Sequence, residues 1–165
     1  MSDDRSMGSG DSPPLMVVAT GATSGMRWEI RAGGGRERCL TVLDIEFPDG
    51  TTRGGGGLGG PPLPAGRRMN ISLHRSEPRL HYLVGRVDPS VESIRLELAG
   101  EHQGELTIRP AGASAELGIA FVAEVLPADA DILGITAWDR DGNRVDAQRT
   151  AHQSRVLRGT DDSTT

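Results

Sequence analysis

Two histidines, His74 and His81, flank the turn Ser76–Glu77–Pro78–Arg79 and are the first residues to ask about chemistry. Pairing Leu73 with Tyr82 and Ile71 with Val84 across that turn matches the apolar faces, as register requires where one face is buried. The same register sets His74 directly opposite His81 on the outward face. Two imidazoles at that spacing suit a transition metal, with Glu77 beside them as a third ligand. Without a secure third ligand, a solvated histidine pair is the simpler account, and no metal site is expected.

Other catalytic chemistry is narrowed by what the chain lacks. All 18 basic residues are arginine. Schiff-base catalysis, pyridoxal phosphate attachment and the phosphate-binding lysine of a Walker loop all need an amine that is missing. Cys39 is the single cysteine and falls on an apolar strand face, so it reads as a buried structural thiol. There is no Gly-x-Ser-x-Gly elbow. The expectation is a protein that is not an enzyme, with no catalytic residues and no cofactor.

Two motifs imitate known sites. VVATGATSGM, Val17–Met26, resembles the nucleotide-binding start of short-chain dehydrogenases, which requires a helix after the glycines. The residues that follow, MRWEIR, alternate like a strand, and the Tyr-x-x-x-Lys pair of that family is impossible without lysine. Asp139, Asp141, Gly142 and Asn143 resemble half of an EF-hand loop. That loop needs flanking helices and a Glu where this chain has Thr150. Both segments read instead as turns between strands.

The elements that would position any site have a period of two almost throughout. Met26, Trp28 and Ile30 alternate with Arg27, Glu29 and Arg31. Cys39, Leu43, Ile45 and Phe47 share a face, while Leu40 and Val42 lie among polar neighbours, which suggests cover on both sides there. Strands are expected over Leu15–Thr20, Met26–Arg31, Arg38–Phe47, Met69–Arg75, Leu80–Val87, Val91–Leu98, Glu105–Arg109, Leu117–Leu126, Asp131–Trp138 and Arg144–Ala147. A two-residue type I′ turn at Asp141–Gly142 would pair Trp138 with Val145 in the core and Asp139 with Arg144 outside. The fold class is all-β, an antiparallel β-sandwich, with Trp28 and Trp138 both assigned to its core.

One segment breaks the pattern. Pro48–Arg68 (PDGTTRGGGGLGGPPLPAGRR) has no periodicity, and long loops in compact domains are usually functional or disordered. The reading is a flexible Gly/Pro loop, with Arg53, Leu58, Leu63, Arg67 and Arg68 as its candidate partner contacts, since apolar and arginine anchors dominate hot spots.

Residues 1–14 and 149–165 are rich in Ser, Asp, Thr and Gly and read as disordered tails around one domain, 15–148. The net charge of −5 and a pI near 5.3 argue against nucleic acid. No apolar run is long enough to span a bilayer. The acidic start is unlike a signal peptide, and one cysteine permits no internal disulfide, so the expected location is the cytoplasm.

Gly85–Ala147, with GRVDPSVESIRLEL, FVAEVLP and the closing GITAWDRDGNRV, resembles bacterial immunoglobulin-like domains. Ala137, Asp139, Gly142 and Asn143 carry the ending common in those modules. The central region with Trp28 and Cys39-Leu40 is similar to that of small actinobacterial proteins. The resemblance implies an immunoglobulin-like antiparallel β-sandwich used for contacts, with no catalytic residues to carry over. The expected function is a non-catalytic interaction or structural module whose partner is another protein. The alternative is an accessory or lid-bearing β-sandwich that binds a small molecule or carbohydrate, with or without enzymatic activity. Oligomeric state is not legible.

Overall fold

The computed structural model describes residues 14–76, 80–100 and 103–150, so the expected tails at 1–13 and 151–165 lie outside the described residues. Twelve strands follow in order: β1 (Met16–Thr23), β2 (Met26–Gly34), β3 (Cys39–Glu46), β4 (Thr52–Leu58), β5 (Met69–Ser76), β6 (Leu80–Val87), β7 (Val91–Ala99), β8 (Gly104–Ile108), β9 (Gly112–Ser114), β10 (Ile119–Leu126), β11 (Asp131–Asp139) and β12 (Arg144–Arg149). Among the described residues there is no α-helix. β12 runs to Arg149, and the buried Thr150 hydroxyl donates to the Ile132 carbonyl, so ordered structure continues past residue 148.

The strands form three four-stranded antiparallel sheets. The N-terminal sheet has order β1-β2-β3-β4, the middle sheet β5-β6-β10-β9, and the C-terminal sheet β12-β11-β7-β8. Two hydrophobic clusters separate them, an upper core between the N-terminal and middle sheets and a lower core between the middle and C-terminal sheets. Trp28, Ile30, Leu43 and Ile45 of the N-terminal sheet meet Leu80, Tyr82, Val84 and Phe121 of the middle sheet. Leu83, Val87 and Val122, on the opposite face of the middle sheet, meet Ile94, Leu96, Ile132 and Ile135 of the C-terminal sheet. The middle sheet is therefore covered on both faces, and every residue of β6 is buried. A strand covered on both faces needs apolar side chains at both parities, which Leu80–Val87 supplies.

Two-sided burial overturns the expected histidine register. With both faces of β6 buried, matching apolar faces no longer selects one pairing. The observed register is one residue away: Leu73 faces Leu83, His74 faces Tyr82 and Arg75 faces His81. His74 and His81 thus lie on opposite faces of the middle sheet.

The closing hairpin also differs in detail. Ala137 pairs with Asp146, but a bulge then sets Trp138 against Arg144 rather than Val145. The turn closes with Gly142 N–H to Asp139 O and Asp139 N–H to Asn143 O; Gly142 is left-handed at φ 81°, so this is the three-residue type with a glycine bulge. The two-residue turn with positive φ at both centres is at Ser24–Gly25, φ 53° and 80°.

The glycine-rich half of the Gly/Pro segment is a strand rather than a flexible loop, while residues 59–68 form turns without regular structure. Thr52–Leu58 pairs with β3 along its length. Glycine has little β-propensity of its own, but it permits close approach. A Cβ on Gly56 would lie 2.2 Å from the Tyr82 hydroxyl and 2.8 Å from His74 Nδ1.

Side chains from a facing sheet, or from the segment that leads into it, bond to three of the strand edges. On β4, Gly56 N–H donates to Tyr82 Oη at 3.2 Å and the Leu58 carbonyl accepts from Arg86 at 2.6 Å. On β5, Met69 N–H donates to Asp146 Oδ2 at 3.2 Å, and Gln148 Nε2 donates to the Ile71 carbonyl at 3.0 Å. On β12, Arg67 donates to the Ala147 carbonyl at 3.0 Å.

Candidate functional site

Three places concentrate polar or aromatic side chains. The first is inside the upper core. Arg86, on the face of β6 toward the N-terminal sheet, is fully buried. Its Nε donates to Thr41 Oγ1 (2.8 Å), Nη1 to the carbonyls of Gly59 (3.3 Å) and Pro61 (3.0 Å), and Nη2 to those of Cys39 (2.8 Å) and Leu58 (2.6 Å). A guanidinium has five N–H donors and all five are used, none on a carboxylate. Burial pushes its pKa below the ordinary arginine value. Next to this cradle, His74 stacks on Tyr82 at 5.1 Å, and its Nε2 lies 2.9 Å from Ser72 Oγ. Burial lowers the pKa of His74 and raises that of Tyr82. With every donor of Arg86 engaged by the chain itself, this network clamps the Leu58–Pro61 backbone and leaves no group pointing at a ligand.

The second place is the outer face of the N-terminal sheet, where Thr20, Ala22, Arg27, Glu29, Asp44 and Thr52 border a cleft of about 670 Å³. Strand register sets Glu29 opposite Asp44 and Arg27 opposite Glu46. Like charges facing each other are unfavourable unless a cation intervenes. Arg31 supplies it, donating from Nε to Asp44 at 3.0 Å and lying 3.9 Å from Glu29, while Arg27 lies 3.7 Å from Glu46. The carboxylates are matched by arginines within the sheet, and the cleft reads as a solvated charged face.

The third place is the outer face of the C-terminal sheet, and it corrects the expected core role of Trp138. Ile135 and Ala137 point into the core, so Thr136 and Trp138 point out. Trp138 is half-buried: its Nε1 donates to Thr136 Oγ1 at 2.8 Å, and the Arg95 guanidinium lies 4.2 Å from the ring centroid. Arg95 is itself 3.7 Å from Glu105. Its cross-strand neighbours are the buried Ser93 of β7 and the exposed Arg144 of β12, which has no ion pair among the described residues. Trp28 does sit in the core, 7% exposed, with its indole N–H lacking a hydrogen-bond partner among the described residues.

The five residues expected as partner contacts are placed on different elements and engaged within the chain. Arg53 on β4 lies over the Phe47 ring at 5.9 Å. The Leu58 carbonyl belongs to the Arg86 cradle, and Leu63 packs against the upper core. Arg67 donates to Asp146 at 3.0 Å, and Arg68 lies 3.2 Å from Asp88. Among the described residues no three His, Cys, Asp or Glu side chains are grouped to hold a metal, and Asp139 spends its carboxylate on the amides of Asp141 and Asn143, both at 2.9 Å. Cys39 is a buried free thiol. Sequence reasoning missed both Arg86 and the exposure of Trp138. An arginine inside a strand with apolar residues at both parities was the available signal for the first.

No protein-family model, curated protein or solved structure matches the chain.

Proposed function

We propose that the protein is a non-catalytic interaction module, that its β5–β12 portion is an immunoglobulin-like sandwich, and that the outer face of the C-terminal sheet docks another protein. Strand order supports the fold reading. Lettering β5 to β12 as A, B, C, C′, D, E, F and G turns the middle sheet into A-B-E-D and the C-terminal sheet into G-F-C-C′, the two-sheet arrangement of immunoglobulin-type domains. β1–β4 is then an added sheet that covers the A-B-E-D face. A cytoplasmic setting fits, because the single cysteine is a buried free thiol.

The observation that carries the contact surface is Trp138. A tryptophan held on an open sheet face by Arg95 and Thr136 is a rigid amphipathic anchor of the kind that dominates hot spots. The partner surface that fits it offers an apolar pocket for the ring and a carboxylate for Arg144. Trp138→Ala and Arg144→Glu should each abolish partner capture by full-length protein. Because Trp138 lies outside the core, its removal should cost only about 1 kcal/mol, the scale of a partly exposed cation–π contact, measured by urea unfolding. Retained capture by both folded variants overturns the surface assignment.

The same ring favours one second reading, sugar binding by stacking on Trp138. A glycan array would separate the two. Trp138-dependent glycan binding without protein capture selects the sugar.

A further inference from the structure

At one end of the sandwich two neighbouring side chains grip the turn between β10 and β11. His81 faces the C-terminal sheet and is 3% exposed, with its Nδ1 3.3 Å from the Pro127 carbonyl. Arg75, its cross-strand partner, donates from Nη2 to the Ala130 carbonyl at 2.7 Å and lies 3.7 Å from Asp131. Within the turn, Ala130 N–H donates to Pro127 O at 3.1 Å. It carries Ala130, fully buried, and leads into the buried Ile132 of the lower core.

We propose that His81 and Arg75 form an acid-released latch over Pro127–Ala130, so that protonating His81 opens this turn while the sheets stay folded. Among the described residues, the charged groups around the imidazole are Arg75 from β5 and Asp131 at the start of β11, with Asp129 in the turn; the register partner on β10 is the apolar Leu126. Neutral His81 with its proton on Nδ1 satisfies the Pro127 carbonyl without placing a second positive charge beside Arg75. Asp131, the carboxylate at the start of β11, is already shared with Arg75.

Burial is the main force holding the imidazole below its usual range; Arg75 acts in the same direction, and the Pro127 carbonyl and Asp131 oppose. A depressed folded-state value means the unfolded chain binds more protons. The latch is therefore whole above about pH 6.5 and weakens as pH falls below it.

Hydrogen exchange by mass spectrometry at several values between pH 7.5 and 5, corrected for intrinsic exchange, tests the latch on full-length protein. Opening of residues 127–131 should increase at least tenfold on acidification, with β6 and β10 amides unchanged. His81→Asn, which keeps a donor near the Nδ1 position and does not titrate, should remove the response. His74→Asn removes the other buried-side imidazole and should leave it intact. Should His81→Asn fail to fold, Arg75→Gln at an exposed position decides, since removing that charge should move the opening midpoint toward the ordinary histidine value. A pH-independent turn, parallel opening of β6 and β10, a response lost in His74→Asn, or an unmoved midpoint in Arg75→Gln overturns the proposal.

Discussion

Replacing Arg86 by methionine keeps most of the buried stem and removes all five donors. The acceptors remain: Thr41 Oγ1 and the carbonyls of Cys39, Leu58, Gly59 and Pro61. Swapping a buried ion pair for apolar groups is often neutral, because both charges go together. Here the acceptors are mostly backbone and cannot be removed. The bonds to Thr41 and Cys39 are enclosed, and each unpaired buried group costs about 1–3 kcal/mol, so those two alone cost about 2–6 kcal/mol. The carbonyls of Leu58, Gly59 and Pro61 are only part-buried and add less. Packing of the methionine thioether returns part of the loss, leaving a net of about 3–5 kcal/mol. Against a total stability of about 5–15 kcal/mol for a domain, that is a large fraction. Urea titration followed by far-UV circular dichroism should show a lower midpoint at unchanged slope. Arg86→Lys should recover less than half, since one ammonium cannot span five acceptors on two segments. A loss below about 1 kcal/mol for the methionine variant would show that the cradle repacks freely, and the reasoning would fail.

Gly56→Val drives a branched side chain into the Tyr82 hydroxyl and the His74 ring, and should lower stability by about 1–3 kcal/mol in the same assay; an unchanged thermal midpoint would show that β4 can lift off β6 at no cost. Replacing Thr51–Ala65 by a short turn deletes β4 and three of the five Arg86 acceptors, so cooperative unfolding should be lost or the midpoint should fall steeply. A stable replacement variant would mean that the segment is the flexible loop its composition suggests.

Alternation of side chains was enough to locate the long strands, because residues such as Trp28, Ile30, Leu43 and Ile45 do lie on one buried face. It failed at β4 for a simple reason: Gly54–Gly57 has no side chains to alternate, and the strand exists because glycines let it approach Tyr82. The β5–β6 register failed because a strand buried on both faces gives no apolar face to match, so His74 and His81 were paired across a sheet that separates them. Trp138 was placed in the core by pairing it with Val145; its alternation with the buried Ile135 and Ala137 turns the ring outward instead, and the bulge at Val145 sets Arg144 opposite it. The Arg86 cradle draws on Thr41, Cys39 and Leu58–Pro61, which are far apart in the chain, and only the packing of one sheet on another brings them together.

The capping of β4 and β5 by side chains from a facing sheet, and of β12 by Arg67, bears on behaviour at high concentration. An uncapped strand edge is a template onto which another molecule can add a strand, and folded proteins commonly guard such edges with charges, prolines or short lengths. Here the β5 edge is guarded by two side chains, Asp146 and Gln148, that reach across from β12. Losing either leaves the monomer folded but exposes backbone groups to a neighbour. The consequence is a failure that grows with concentration and time, as turbidity or fibrils, in a protein whose melting curve looks normal.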